Sequence, residues 1–210
     1  MEIDRETSAL IIVDLQYDFL PGGALAVSGG DTLIPIVNRL QKKFDFVVAT
    51  QDWHPEDHGS FAANHTGKET GEFIELNGVR QVLWPVHCVQ RSHGADFHAD
   101  LHTDSWRKVF QKGTRPQVDS YSGFFDNNRQ GDTGLGDYLR AHGITQVFIA
   151  GLAADYCVKF TVMDSLTLGF ETYLVADATK GVNLLPGDTE IALQEMKNGG
   201  AILVKSTELA

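Results

Sequence analysis

Ala9 to Val13, ALIIV, is an uninterrupted apolar run of the kind that fills a strand buried on both faces. Phe46 to Ala49 (FVVA) reads the same way, and so does Gln146 to Ala150, which ends in FIA before Gly151. Thr172 to Val175 and Ala201 to Val204 add two more strands, and Val109-Phe110 lies in a weaker one. Between them apolar residues return at helical spacing. Asp31 is placed to cap a helix through Leu33, Ile36, Val37 and Leu40, and Leu135 to His142 is helical up to Gly143. Val158, Val162 and Leu166 make one helical stripe that Gly169 can close, and a last helix covers Thr189 to Lys197. Strands alternating with helices predict an α/β fold, a parallel sheet covered on both faces. One stretch breaks the rhythm. Asp52 to Trp106 is rich in His, Gly and polar residues and poor in periodicity, and loops of that length inside a compact domain are usually functional.

Composition narrows the function classes. The 210 residues suit one α/β domain, spanning 1–210, with a substantial core. A net charge of −11 argues against a broad nucleic-acid surface. No apolar run is long enough to span a bilayer, and MEIDRETS lacks the basic and apolar regions of a signal peptide. The expectation is a cytoplasmic protein with a small-molecule partner and neither nucleic acid nor membrane. The oligomeric state, a homo-oligomer included, is open. With two cysteines, a Cys88–Cys157 disulfide is conceivable but discounted, since it would consume the only well-placed thiol.

That thiol is Cys157. Asp155 is a plausible N-cap, which puts Cys157 in the first helical turn, beside unpaired N–H groups and the positive end of the helix dipole. A thiol there tends toward a depressed pKa and a reactive thiolate. The plainer alternative is a small buried hydrophobe. In an open parallel sheet ligands bind beyond the carboxyl ends of the strands. Those ends carry Asp14, Gln51-Asp52-Trp53-His54, Lys112 and the turn into Cys157. No G-x-G-x-x-G follows the first strand, which argues against a dinucleotide domain. Asp14 and Lys112 could be a surface ion pair. Set beside a cysteine, they become a carboxylate able to take a thiol proton, an ammonium able to stabilise anions, and a sulfur able to attack a carbonyl.

Asp52 and His54 stand two apart, so on an extended segment they point to one side. A carboxylate and an imidazole are half of a metal site, and His58, His65, His87 and His93 are available to complete it. One Asp and two His with open positions would suit zinc first, or iron(II) or manganese.

Several motifs together carry a resemblance. They are VDLQYDF from Val13, GGALAV from Gly22, QDWHPEDHGSF from Gln51, LWPVHCVQ from Leu83, FQKG around Lys112, VDSYSGFFDN from Val118, and GLAADYCVKFTV from Gly151. In this order they resemble the bacterial nicotinamidases of the isochorismatase-like cysteine hydrolase family along nearly the whole chain. The resemblance implies a six-stranded parallel sheet flanked by helices, a Rossmann-like three-layer sandwich, with an Asp14-Lys112-Cys157 triad. It implies that His87, not His93, joins Asp52 and His54 on the metal, and that Ser60 touches the ion or one of its waters. It implies that Phe19 and Trp84 sandwich a pyridine ring, with Tyr121 and Tyr156 supporting the pocket. It further implies a cis peptide before Ala153, whose N–H would join that of Cys157 in an oxyanion hole. The chain departs from the family's usual Thr at Ala154, which could alter a hydrogen bond to that loop.

The activity implied is hydrolysis of nicotinamide to nicotinate and ammonia through a cysteine thioester, in NAD salvage, with the metal-binding loop region at about 52–106. Within the family the alternative is another small-amide or carbamoyl hydrolase. A metal-free isochorismatase would use neither the Asp52-His54-His87 set nor a nucleophilic cysteine. From a different class, Asp52, His54 and His87 could be the two-histidine, one-carboxylate iron site of an oxygenase.

Overall fold

The computed structural model describes residues 1–210. Its sheet strands are β1 (Ser8–Val13), β2 (Val47–Asp52), β5 (Lys108–Lys112), β6 (Gln146–Leu152), β7 (Glu171–Lys180) and β8 (Ile202–Val204). They form a six-stranded sheet in the order β5-β2-β1-β6-β7-β8, and all pairings are parallel. Side chains on β1 alternate between two cores, with Leu10 and Ile12 in one and Ala9, Ile11 and Val13 in the other. Both faces are therefore dry, which is why the central strands read as unbroken apolar runs.

The helices are α1 (Ile34–Gln41), α2 (Leu135–Ala141), α3 (Cys157–Thr167) and α4 (Asp188–Asn198). Through Ile34, Val37 and Leu40, α1 packs on one face. The other face receives Leu135 and Leu139 of α2, Val158 and Val162 of α3, and Ala192 and Met196 of α4. Asp31 does not cap α1. It lies in a 3-10 turn, Gly30–Leu33, that leads directly into the helix.

The segment from Asp52 to Trp106 is not wholly irregular. It contains an antiparallel hairpin, β3 (Phe73–Leu76) and β4 (Val79–Val82), joined by Asn77-Gly78 with φ of 49° and 79°. Two left-handed residues in a two-residue turn match the right-handed twist of the strands, and Asn-Gly is the pair best suited to them. The sheet order reverses at β1, which continues to β2 on one side and lies against β6 on the other. That switch point opens a crevice at the strands' carboxyl ends, where Asp14 and the β6–α3 turn lie.

Candidate active site

The turn out of β1 and the turn out of β6 meet closely. Gly151 has φ of 116°, and a Cβ there would sit 2.1 Å from the Val13 carbonyl oxygen, so no side chain fits. Asp14, the residue just past β1, is itself left-handed with φ of 49°. A non-glycine residue in that region is held by its surroundings. Here Thr50 Oγ1 donates to Asp14 Oδ1 at 2.6 Å. Lys112, at the end of β5, is fully buried and places its Nζ 2.9 Å from Asp14 Oδ2, 2.6 Å from Asp52 Oδ1, 3.0 Å from the Ser120 carbonyl and 3.4 Å from Cys157 Sγ. The three residues read from separate strand ends thus converge on one point. Asp14 Oδ2 is ion-paired but accepts no aligned hydrogen bond, and ligand atoms of Asp14, Asp52 and Cys157 lie within 4.8 Å of one another.

Cys157 is the first residue of α3, as its position after β6 implies, but Asp155 does not cap the helix. Its carboxylate accepts the N–H groups of Val182 (2.9 Å) and Asn183 (2.7 Å), and Tyr156 occupies the cap with no side-chain bond. The Ala153 carbonyl accepts from Tyr156 and Val158, both at 3.0 Å, and passes over the Cys157 N–H. The peptide joining Leu152 to Ala153 is cis. Ala154 is buried and its N–H donates to the Lys180 carbonyl at 2.8 Å, so the loop is tied down through the backbone at that position. Both cysteines are free thiols.

The electrostatics correct one expectation. Burial, reinforced by the Asp14 and Asp52 carboxylates, pushes the Cys157 thiol well above its ordinary value despite the nearby Lys112. The resting thiol is therefore neutral, and its activation needs a base. Burial also raises Asp14, against Lys112 and with Asp52 adding to the rise. Burial acts on Asp52 in the same sense, but Lys112 and His54 outweigh it and hold that carboxyl well below the usual range. Two neighbouring carboxyl groups pushed in opposite directions can take different roles, one as a proton acceptor and the other as a permanent anion. Burial works against the Lys112 charge, yet the Asp14 and Asp52 carboxylates keep it firmly protonated.

His54 and His87 are brought together by short parallel pairing. The His54 N–H donates to the Cys88 carbonyl (3.0 Å) and the Gln90 N–H to that of His54 (2.8 Å). His54 Nδ1 donates to the Gly113 carbonyl at 2.9 Å and His87 Nδ1 to that of Pro85 at 2.8 Å. A Cβ on Gly113 would lie 2.3 Å from His54 Cε1, which accounts for the glycine after Lys112. With both Nδ1 atoms donating, the Nε2 atoms face Asp52 Oδ2 at 3.2 and 3.7 Å. Burial opposes the His54 charge, but the Asp52 carboxylate outweighs it and raises that imidazole's pKa. Once His54 gives up its Nε2 proton, two imidazole nitrogens and a carboxylate oxygen form a donor set that fits a divalent metal. Phe61, which the sequence reading passed over, packs its ring 5.4 Å from both imidazoles. His93 and His65 lie elsewhere. His93 is exposed beside Asp96, and His65 bonds the Gly59 carbonyl.

Ser60 and His58 are both buried beside this set. The Ser60 N–H, which can only donate, points at His58 Nδ1 (3.3 Å), so Nδ1 is an acceptor and takes the Ser60 hydroxyl proton too, at 2.7 Å. Ser60 Oγ keeps only its lone pairs for other groups. Burial, with His54 nearby, lowers the His58 pKa from 6.5 to about 4. Unfolding then takes up a proton as the pH falls from about 6.5 toward 4. The stabilisation from neutral His58 is complete above the higher value and lost through the lower one, about 3 kcal/mol over the window. In metal-free protein, urea unfolding between pH 7 and pH 4.5 is expected to show a steeper loss of stability in wild type than in His58→Asn. Equal losses would contradict this reading.

Phe19, Trp84, Tyr121 and Tyr156 line one cleft together with Ala153, Cys157, Asp52 and His87. Trp84 is anchored by its N–H to the Ser60 carbonyl (2.8 Å) and by Nε1 to the Tyr121 hydroxyl (3.1 Å), which also accepts from Gln81. Asp119, also missed from sequence, lines the cleft as a buried carboxylate held by Gln81 and by the Ser120 N–H.

The model of the Isochorismatase domain matches residues 8–208. The chain is 50% identical over 199 residues to the nicotinamidase of Escherichia coli strain K12, covering 93% of each. Among solved structures it is similar to a nicotinamidase pyrazinamidase of Acinetobacter baumanii, with a TM-score of 0.95 at 45% identity over 98% of this chain and 99% of that one. It is also similar to the pyrazinamidase of Pyrococcus horikoshii in complex with zinc, with a TM-score of 0.78 at 43% identity over 95% and 99%. In sequence and fold, the chain belongs to the isochorismatase-like hydrolase family.

Proposed function

We propose that the protein hydrolyses nicotinamide to nicotinate and ammonia, serving NAD salvage. One observation carries this reading: Cys157 and the Asp52-His87 set line the same cleft, and Phe19, Trp84 and Tyr121 form its aromatic walls. For a flat heteroaromatic amide, the cleft offers aromatic walls for the ring, a metal-binding set for the ring nitrogen and a thiol for the carboxamide.

Asp14 takes the proton of the neutral Cys157 thiol as sulfur attacks the carboxamide carbon. Lys112, 3.4 Å from the sulfur, offsets the charge that develops there and holds both carboxylates in place. The N–H groups of Ala153 and Cys157 receive the oxyanion, contacts worth about 2.7–4 kcal/mol per donor. Asp14 returns its proton to the departing ammonia, then activates the water that hydrolyses the thioester. A divalent ion on Asp52, His54 and His87, with Ser60 beside it, would supply a Lewis-acid anchor for the pyridine nitrogen. The zinc of the Pyrococcus horikoshii relative supports zinc as that ion here. An oxygenase would have no use for the Asp14-Lys112-Cys157 cluster, and the comparisons give that reading no support. Residues 1–210 are read as one hydrolase domain whose metal-bearing part is about 52–106. No helix is long and apolar enough to cross a membrane, and a reducing cytoplasm suits the two free thiols.

Ammonia release from nicotinamide, measured before and after chelation, tests the function. Benzamide keeps the ring shape and the carboxamide but carries C–H in place of the ring nitrogen. Sites built around a polar substrate group reject analogues that lack it, so benzamide is expected to fall at least about 100-fold in kcat/KM. His87→Ala should shrink that preference, whereas His93→Ala, on the exposed surface, should leave it intact. Equal turnover of both amides would remove the ring nitrogen from recognition.

A further inference from the structure

Gln16 is fully buried, carries no charge, and has no part in the chemistry above. Its carboxamide makes three hydrogen bonds. Oε1 accepts the Asp52 backbone N–H at 2.8 Å, while Nε2 donates to the Asp52 carbonyl at 2.8 Å and to the Ala95 carbonyl at 2.9 Å. The pairing of β1 with β2 explains why they are needed. The two strands run in register from Leu10 with Val47 to Val13 with Thr50, and there β1 ends as Asp14 turns into the left-handed region. β2 continues two residues further on its β5 side, where Asp52 is still in register with Lys112. On the side that β1 has vacated, the N–H and C=O of Asp52 would be buried without partners, at about 1–3 kcal/mol per group. The Gln16 side chain fills that place as a detached peptide group.

We infer that Gln16 is a positioning residue, whose carboxamide extends the β1 edge and fixes Asp52 relative to Asp14. It sits two residues beyond Asp14, and its own N–H donates to the Asp14 carbonyl at 2.9 Å. One turn therefore sets both the base and the carboxylate shared by Lys112, His54 and His87. Removing the carboxamide frees the end of β2 to rotate, and the Asp52 oxygens then leave the positions that face those partners.

The inference rests on the proposed metal site, and its test does not depend on turnover. Zinc affinity of the purified full-length chain is measured by competition with a chromophoric chelator. Groups that orient a metal ligand typically contribute 10–100-fold in affinity, so Gln16→Met is expected to lose about that factor while retaining its circular dichroism spectrum. Gln16→Glu keeps the acceptor for the Asp52 N–H, loses both donors, and should fall between Met and wild type. Gln51→Met is the control. Gln51 Nε2 donates to the same Ala95 carbonyl at 2.9 Å without bonding the Asp52 backbone, so its zinc affinity should stay within about threefold of wild type. Wild-type affinity in Gln16→Met, or equal losses in the Gln16 and Gln51 variants, would overturn the inference. If Gln16→Met fails to fold, Gln16→Glu decides: an unchanged affinity overturns the inference and a selective loss supports it. A wild-type protein that binds zinc but leaves nicotinamide intact would sink the proposed function and leave the role of Gln16 standing.

Discussion

Cys157→Ala is expected to abolish nicotinamide turnover, by at least about 10⁴-fold, with fold and metal content retained. The side chain is small and buried at the first position of α3, where alanine fits without strain, so a loss of activity cannot be attributed to packing. Cys88→Ala separates thiol chemistry from thiol presence. Cys88 is also buried, and its pKa is pushed well up by burial and by the Asp52, Asp18 and Asp14 carboxylates, but it does not line the cleft. That variant should keep most of its activity. Steady-state ammonia release from the two proteins, with zinc content measured alongside, gives the comparison. A Cys157→Ala protein within tenfold of wild type would end the covalent mechanism.

Lys112→Met should be nearly as damaging, and for two reasons that can be measured apart. The ammonium is the one cation between Asp14 and Asp52, with side chains essentially closed to solvent. Methionine keeps the length of the chain and removes the charge, which leaves two buried carboxylates facing each other. Removing one partner from a buried ionic cluster typically costs about 3–5 kcal/mol, which urea unfolding would read. Turnover should fall at least about 10³-fold even where the variant is folded, because the sulfur loses its nearest positive charge. Combining Lys112→Met with Asp14→Asn should cost less than the sum of the two single changes, since the amide removes one of the stranded charges. A single variant that loses under tenfold in activity and under about 1 kcal/mol in stability would reduce Lys112 to an incidental ion-pair partner.

Much of this arrangement is legible in the chain. β1, β2 and β6 are continuous apolar runs because a parallel sheet covered on both faces buries every side chain. Asp14 stands out because it directly follows such a run, and Asp52, Lys112 and Cys157 because they lie at or just past the ends of neighbouring strands, which in this architecture point at one crevice. The hairpin was available too, in the Asn77-Gly78 pair between FIEL and VRQV, but the polar residues within those two segments masked it. Other features depend on neighbours distant in sequence. The role of Asp155 is set by two N–H groups nearly thirty residues away, at Val182 and Asn183, so the local capping pattern was misleading. The direction of the Cys157 pKa shift is likewise set by burial, which prevails over Lys112 with the help of two carboxylates from other strands. Choosing His87 over His93 required family resemblance, since spacing admits both. Gln16 and Thr50 gave no local sign at all. Each matters only because of what β1 and β2 place beside it.

The covalent claim is tested most directly by quenching the enzyme in acid during turnover of nicotinamide and mapping the modified peptide by mass spectrometry. The account predicts a nicotinoyl adduct on Cys157, absent from Cys157→Ala and from enzyme incubated without substrate. An adduct on Cys88, or release of ammonia by Cys157→Ala at the wild-type rate with no adduct on any residue, would contradict it.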